Sequence, residues 1–310
     1  MSVGCTADQP IPNRLNLLIL AAVVIVACTL LWLASRLSFA WTLFLGVGFS
    51  FLMLTNYALI HEASHSVLNS DKRLNQLFGT LAGWFFLSSF TVMRVTHIVH
   101  HCCNRTDYEM FDYYYQGDNR LLKYVQWYGL MFGLWWPLIP IGNLLIALMP
   151  KLLHSPPFKQ ARSTSVLFND FDQSDIWRIR LELACGALFW LSLFQLLSLN
   201  WQTLVIFYLC FSFNWSTRQY VTHAFTPRSV RDGALNLKLS RPMGWLLLNG
   251  HWDLVHHQNP HVSWLYLSEL GRNRETPTSY WRQYFKLWHG PRPSPEPGPK
   301  MLMKNTYETM

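Results

Sequence analysis

NRLNLLILAAVVIVACTLLWLASRLSFAWTLFLGVGFSFLMLTNYALIHEASH, residues 13–65, decides the fold class. Residues 15–35 carry no charge until Arg36 and are long enough, at 1.5 Å per residue, to cross a hydrocarbon core. A three-residue break, Arg36-Leu37-Ser38, precedes a second apolar run over 39–60. Two such runs so close together predict a helical hairpin in a bilayer. No small-residue cleavage site follows the first run, which reads as a retained helix rather than a signal peptide. The rest of the chain agrees. Of 310 residues, 51% are apolar and only 14% charged, against about 25% charged in soluble domains.

Working outward, a second hairpin is expected from runs at 183–199 and 201–220, joined near Asn200. Two further stretches, 74–93 and 124–149, are apolar but interrupted by Gly, Ser or Pro, and read as interfacial or re-entrant segments. Four spans place every Lys and Arg except Arg36 on one side, which the positive-inside rule makes the cytoplasm. The expected fold is therefore all-α and integral to the membrane. It has four transmembrane helices in two hairpins plus interfacial or re-entrant helices, with both termini cytoplasmic. Residues 1–290 form one domain, and the Pro-rich tail 291–310 is expected to lack fixed structure. The net charge of +8 belongs to the cytoplasmic face, because no basic run with interleaved aromatics suggests nucleic-acid binding. The six Cys form no C-x-x-C pair and suggest neither a disulfide framework nor a Cys zinc site.

Chemistry concentrates in the 12 His. H-E-A-S-H (His61, His65) ends the second run. H-I-V-H-H supplies His97, His100 and His101, and N-G-H-W-D-L-V-H-H supplies Asn249, His251, Asp253, His256 and His257. His223 follows the fourth run. Spacings of three and four put imidazoles on one helix face. So many His gathered at one membrane side are costly to bury without a metal. Imidazole suits Zn, Cu, Fe and Ni, and a single structural zinc needs only four ligands. The surplus predicts two metals. Two irons with mostly neutral ligands can use O2 to break an unactivated C–H bond. A site between membrane helices implies a substrate from the bilayer.

Three boxes in this order, over about 55–264, resemble the membrane-bound fatty acid desaturase superfamily. The resemblance implies a cytoplasmic site with two non-haem irons held by His61, His65, His97, His100, His101, His223, His256 and His257. It also implies Asn249 and Asp107 in supporting positions, with Asp107 orienting a ligand imidazole. Where the family's third box opens with His or Gln, this chain has Asp253. Either Asp253 or His251, two residues earlier, is the remaining candidate ligand. Trp252 and Trp264 flank the box as candidates to line an acyl tunnel. The implied activity is O2-dependent oxidation of a fatty acid or fatty acyl chain, with desaturation first. Oxidative decarboxylation of a free fatty acid to a terminal 1-alkene, or hydroxylation, is the alternative. Electrons come from a separate ferredoxin-type carrier on the basic face, since no redox domain is fused. H-E-x-x-H also fits a membrane zinc metalloprotease with Glu62 as base, and a His-lined metal transporter is a non-enzymatic rival. Both leave most of the His or the apolar spans unexplained.

Overall fold

The computed structural model describes residues 9–156, 166, 171–272 and 278–302. The chain is helical, apart from two short parallel pairs of two-residue strands, among the described residues. Helix α1 covers Asn13–Ala34 and α2 covers Phe39–Ser64. The expected hairpin thus stands, and α2 runs unbroken into the first His box. After Asp71, whose side chain accepts from the amides of Arg73 and Leu74, α3 covers Lys72–Phe86 and α4 Phe90–Cys103. Next come α5 (Arg120–Met131), α6 (Leu138–Leu148), α7 (Gln173–Leu197) and α8 (Trp201–Ser216). Short helices α9 (Arg241–Leu246), α10 (Asp253–Gln258), α11 (Trp264–Arg272) and α12 (Tyr280–Leu287) complete the fold.

Helices α1, α2 and α7 are each long and apolar enough to cross a membrane. Their outward residues are apolar too: Leu18, Phe44 and Leu188 are all at least 64% exposed, as suits lipid contact. The third run begins earlier than expected, because a reciprocal cap between Asp172 and Asp175 starts α7 at Gln173. The fourth is shorter. Helix α8 has 16 residues and ends at Ser216, and 217–225 continues as turns. It packs along α2, where a Cβ on Gly46 would lie 3.2 Å from Phe207 and 3.3 Å from the Cys210 sulfur. That close approach is one a larger residue would obstruct. The two hairpin turns meet: the Asn200 amide donates to Ser35 Oγ at 3.0 Å and Arg36 to the Leu197 carbonyl at 3.1 Å. Both turns therefore lie at the end opposite the first His box.

The stretch at 74–93 becomes α3 and the start of α4, bent by 96°. Irregular backbone inside an apolar scaffold must find protein partners. Here they come from two other helices. Glu182 of α7 accepts from Ser89 Oγ (2.5 Å), the Thr91 amide (3.0 Å), Thr91 Oγ1 (2.9 Å) and Gln76 (3.0 Å). Asn143 of α6 accepts from the Ser89 amide at 2.8 Å. The corner is locked, and with it the direction in which α4 carries its histidines.

The Pro-rich tail is more ordered than expected. Arg292 and Pro293 pair in parallel with Tyr113 and Tyr114, and the Leu302 amide reaches the Cys102 carbonyl at 2.9 Å. Backbone pairing supplies partners that composition does not reveal. Residues 303–310 lie outside the described residues.

Glu182→Ala would strand several buried donors at the corner. A loss of about 2–4 kcal/mol is expected, seen as a lower unfolding temperature of the detergent-solubilised protein. Glu182→Gln keeps one oxygen acceptor and should lose less.

Candidate metal centre

Each His box sits on a helix, and the helical period sorts its imidazoles. His61 in the last turn of α2 and His65, which caps it, lie one turn apart. In α4, His97 and His101 share one face, while His100 is turned by about 100° per residue from His101. In α10, His256 and His257 diverge in the same way. The fold makes two groups from these positions. His61, His65, His97, His101 and His256 bring ring nitrogens within 4.8 Å of one another, as do His100, His223 and His257. Each adjacent pair, His100-His101 and His256-His257, gives one imidazole to each group. The groups touch where the His101 and His257 rings lie 4.3 Å apart, centroid to centroid.

The donor chemistry fits metal ions. His97 Nε2 lies 2.7 Å from His65 Nε2 and 3.1 Å from His101 Nε2, and His101 Nε2 lies 3.1 Å from His256 Nε2. On neutral rings with the proton at Nδ1, these four nitrogens turn lone pairs toward one another. A cation satisfies them together, and ligand nitrogens at about 2.1 Å from a metal stand up to about 4.2 Å apart. Burial, reinforced by His61, His65 and His257, holds His256 well below the ordinary histidine range, and burial also pushes His257 down. Neutral imidazole is the ligating form.

Carboxylates border the second group. Asp253 Oδ2 is 3.0 Å from His223 Nε2, and Oδ1 is 3.9 Å from His257 Nε2. Burial opposes its ionisation, but His223 and His257 outweigh this and hold the carboxyl well below its usual range. His223 donates through Nδ1 to the Gly233 carbonyl at 3.2 Å, which leaves Nε2 to face Asp253. Between the two candidates left open by the sequence, Asp253 sits beside the second group. His251 borders the same cavity but joins neither group; burial pushes it down to about 4.

Other positions differ from expectation. Asp107 was expected on a ligand imidazole, but Glu109 is there, with Oε2 2.6 Å from His100 Nδ1. Asp107 accepts from Arg228 and from the Tyr115 hydroxyl, both at 2.7 Å. Both carboxylates lie on one 3-10 turn, Asp107–Glu109, and at three residues per turn positions two apart point in different directions. The signal was present as a second acidic residue in Asn104-Arg105-Thr106-Asp107-Tyr108-Glu109. Asn249 has positive φ and donates to the Trp264 carbonyl at 3.1 Å, so it ties α11 to the turn before the third box.

Trp252 and Trp264 do not border the cavity beside the histidines. Trp264 is 1% exposed and donates its indole N–H to Asn16 Oδ1 at 2.9 Å, a core role. Trp252 packs on Gly271, where an added Cβ would meet its ring at 2.3 Å. The Trp residues that do border the cavity are Trp135 and Trp215. Glu62 also does more than neighbour a histidine. Its Oε2 accepts from the Trp264 amide at 3.0 Å, and its Oε1 lies 3.7 Å from His61 Nδ1. It thus joins α2 to α11.

Sequence reading missed a buried support under the second group. Arg105, fully buried, pairs with Asp112 at 2.7 Å and donates to the Tyr220 hydroxyl at 2.8 Å. Tyr220 in turn donates to the Glu109 carbonyl at 2.7 Å. The chain from Arg105 to Glu109 fixes the carboxylate that meets His100.

His61, His97, His100, His223, His256 and His257 border a cavity of about 530 Å³. Its walls away from them are mostly apolar, including Leu54, Met93, Ile139 and Trp215. This size is ordinary for a small-molecule site. The shape of the chemistry is a polar, metal-competent end and an apolar body.

Loss of a carboxylate that orients a ligand imidazole weakens metal binding by about 10- to 100-fold. Glu109→Ala is expected to show that loss in a chelator competition titration, whereas Asp107→Asn should bind metal as the wild type does.

Comparison with known proteins adds the family. The chain matches the fatty acid desaturase family over residues 35–288, which include all three His boxes and His223. No curated protein matches it. With its His groups, apolar spans and a match over most of its length, the chain belongs to the fatty acid desaturase family.

Proposed function

We propose that this membrane enzyme desaturates the alkyl chain of a fatty acid or fatty acyl substrate, with two non-haem irons, O2 and an external electron donor. The observation that carries this reading is the convergence of two imidazole groups on one end of an apolar cavity. His61, His65, His97, His101 and His256 are assigned to one iron, and His100, His223 and His257 to the other, with Asp253 beside the second. Bound iron supplies the O2-derived oxidising power that an unactivated C–H bond requires. Desaturation balances as one alkyl chain, O2, two electrons and two protons giving the alkene and two waters.

The protein's own residues bind, orient and exclude. Apolar walls hold the chain and keep water from it. Glu109 and the Gly233 carbonyl hold ring nitrogens of His100 and His223 in place, and the Glu62 carboxylate lies near His61. Such positioning matters because hydrogen removal depends on placement within about half an ångström. Loss of CO2 from a free acid to give a 1-alkene, or hydroxylation, would use the same ligands with a different placement of the chain. A zinc protease does not account for the second imidazole group, and the Glu62 carboxylate that it would need as base is engaged with the Trp264 amide.

The same reading has four spans, α1, α2, α7 and α8, with the α3–α4 corner re-entrant. The termini and His boxes face the cytoplasm, where a ferredoxin-type donor docks on the basic face. The contact between the two hairpin turns supports this arrangement, since it puts both on one side.

Purified protein should contain close to two irons, and product analysis after feeding long-chain acids with a ferredoxin–reductase mix should find an unsaturated product of unchanged chain length. An odd-carbon 1-alkene from an even-carbon acid would establish decarboxylation instead. His100→Ala should lose iron and all turnover, while His289→Ala, at an exposed position, should keep both.

Cysteine labelling tests the topology. Sites near Ser38 and Asn200 should react with an impermeant reagent from outside intact cells, and sites near Lys151 only after permeabilisation. External labelling near Lys151 would overturn the four-span arrangement.

A further inference from the structure

Among the described residues bordering the cavity, Arg218 is the one Arg or Lys. It lies just past the end of α8, half-buried. Two other buried arginines of this protein have carboxylate partners: Arg105 has Asp112 and Arg228 has Asp107, each at 2.7 Å. Arg218 has none among the described residues. Its position is nonetheless built. Nε donates to Asn214 Oδ1 at 2.8 Å, and the buried Asn214 amide is held in turn by Ser50 Oγ at 2.9 Å. One terminal nitrogen donates to the Tyr280 hydroxyl at 3.2 Å. The rings of Phe51, Tyr280, Trp281 and Tyr284 surround the guanidinium at 5.6–5.8 Å.

A guanidinium has five N–H donors, so most of its donor capacity remains after these two bonds. Aromatic faces attract a cation, but they supply neither countercharge nor acceptors. A half-buried cation at an apolar cavity, held rigid with spare parallel donors, suits a planar anion bound through two N–H groups.

We propose that Arg218 binds the carboxylate of the substrate, so that the chain acts on free fatty acids rather than on acyl thioesters. This rests on the alkyl-oxidation reading above and names its substrate class. A thioester presents a neutral carbonyl where Arg218 offers charge. The head site meets α2 well before its His box. Phe51, which Arg218 covers, precedes His61 by ten residues of α2, about 15 Å of helix rise. The carboxylate is bound at Arg218 and is not a ligand among the imidazoles.

The test is equilibrium binding to the iron-loaded, full-length protein, followed by displacement of a fluorescent long-chain alcohol. Dodecanoate should displace it about 10- to 100-fold better than dodecan-1-ol, the advantage of a charge-assisted pair. The dodecanoyl coenzyme A thioester should do no better than the alcohol. Arg218→Gln should abolish the preference while leaving alcohol binding and iron content unchanged, and Arg218→Lys should keep part of it. Equal displacement by acid and alcohol in the wild type overturns the carboxylate assignment and leaves alkyl oxidation standing. So does an Arg218→Gln variant that weakens both ligands alike, or a thioester that binds tighter than the acid. If the alcohol probe itself does not bind, the alkyl-binding reading falls and the carboxylate assignment with it.

Discussion

The convergence of eight imidazoles in one buried region is the constraint on which the remaining structure depends. Eight histidines come from four separated segments: the end of α2, α4, the turn after α8, and α10. Like-charged imidazolium rings could not be packed with centroids 4.3–5 Å apart without large repulsion. Bound cations would satisfy the ring nitrogens that face one another, and partners on the outer side orient some of the rings. Glu109 and the Gly233 carbonyl are such partners, Glu62 lies near His61, and each is itself fixed by the surrounding fold. Glu62 is held by the Trp264 amide, and the Glu109 turn by Tyr220 and Arg105.

Aiming α4 is the harder structural problem. A straight continuation of α3 would carry His97, His100 and His101 in another direction. The 96° corner redirects them, and its backbone cannot turn to water for hydrogen bonds. Glu182 and Asn143, from α7 and α6, take the exposed donors instead. A carboxylate inside an apolar run of α7 therefore serves the geometry of a helix about ninety residues earlier. Function and topology are joined at that point, because α7 both packs the bundle and fixes the second His box.

The cavity follows from the same arrangement. Helices α2, α4 and α6 leave apolar space between them, with imidazoles at one end and Arg218 in its lining. A long alkyl chain with an anionic head has the complementary pattern.

Much was legible in the sequence. Local patterns carry the apolar runs, the break at Arg36-Leu37-Ser38 and the helical spacing within each His box, since these depend on residues a few positions apart. The ring nitrogens of His61, His65, His97, His100, His101, His223, His256 and His257 lie in the two groups. What only the tertiary structure decided depends on pairs distant in the chain. It placed Glu109 rather than Asp107 on His100, and put Asp253 beside the second group while His251 joins neither. It turned Trp264 into a core residue bonded to Asn16, and docked the Pro-rich tail on Tyr113 and Tyr114. Composition and periodicity state which side chains share a helix face. They do not state which partner, a hundred or more residues away, that face will meet, because that is fixed by packing and by the need to satisfy every buried polar group at once.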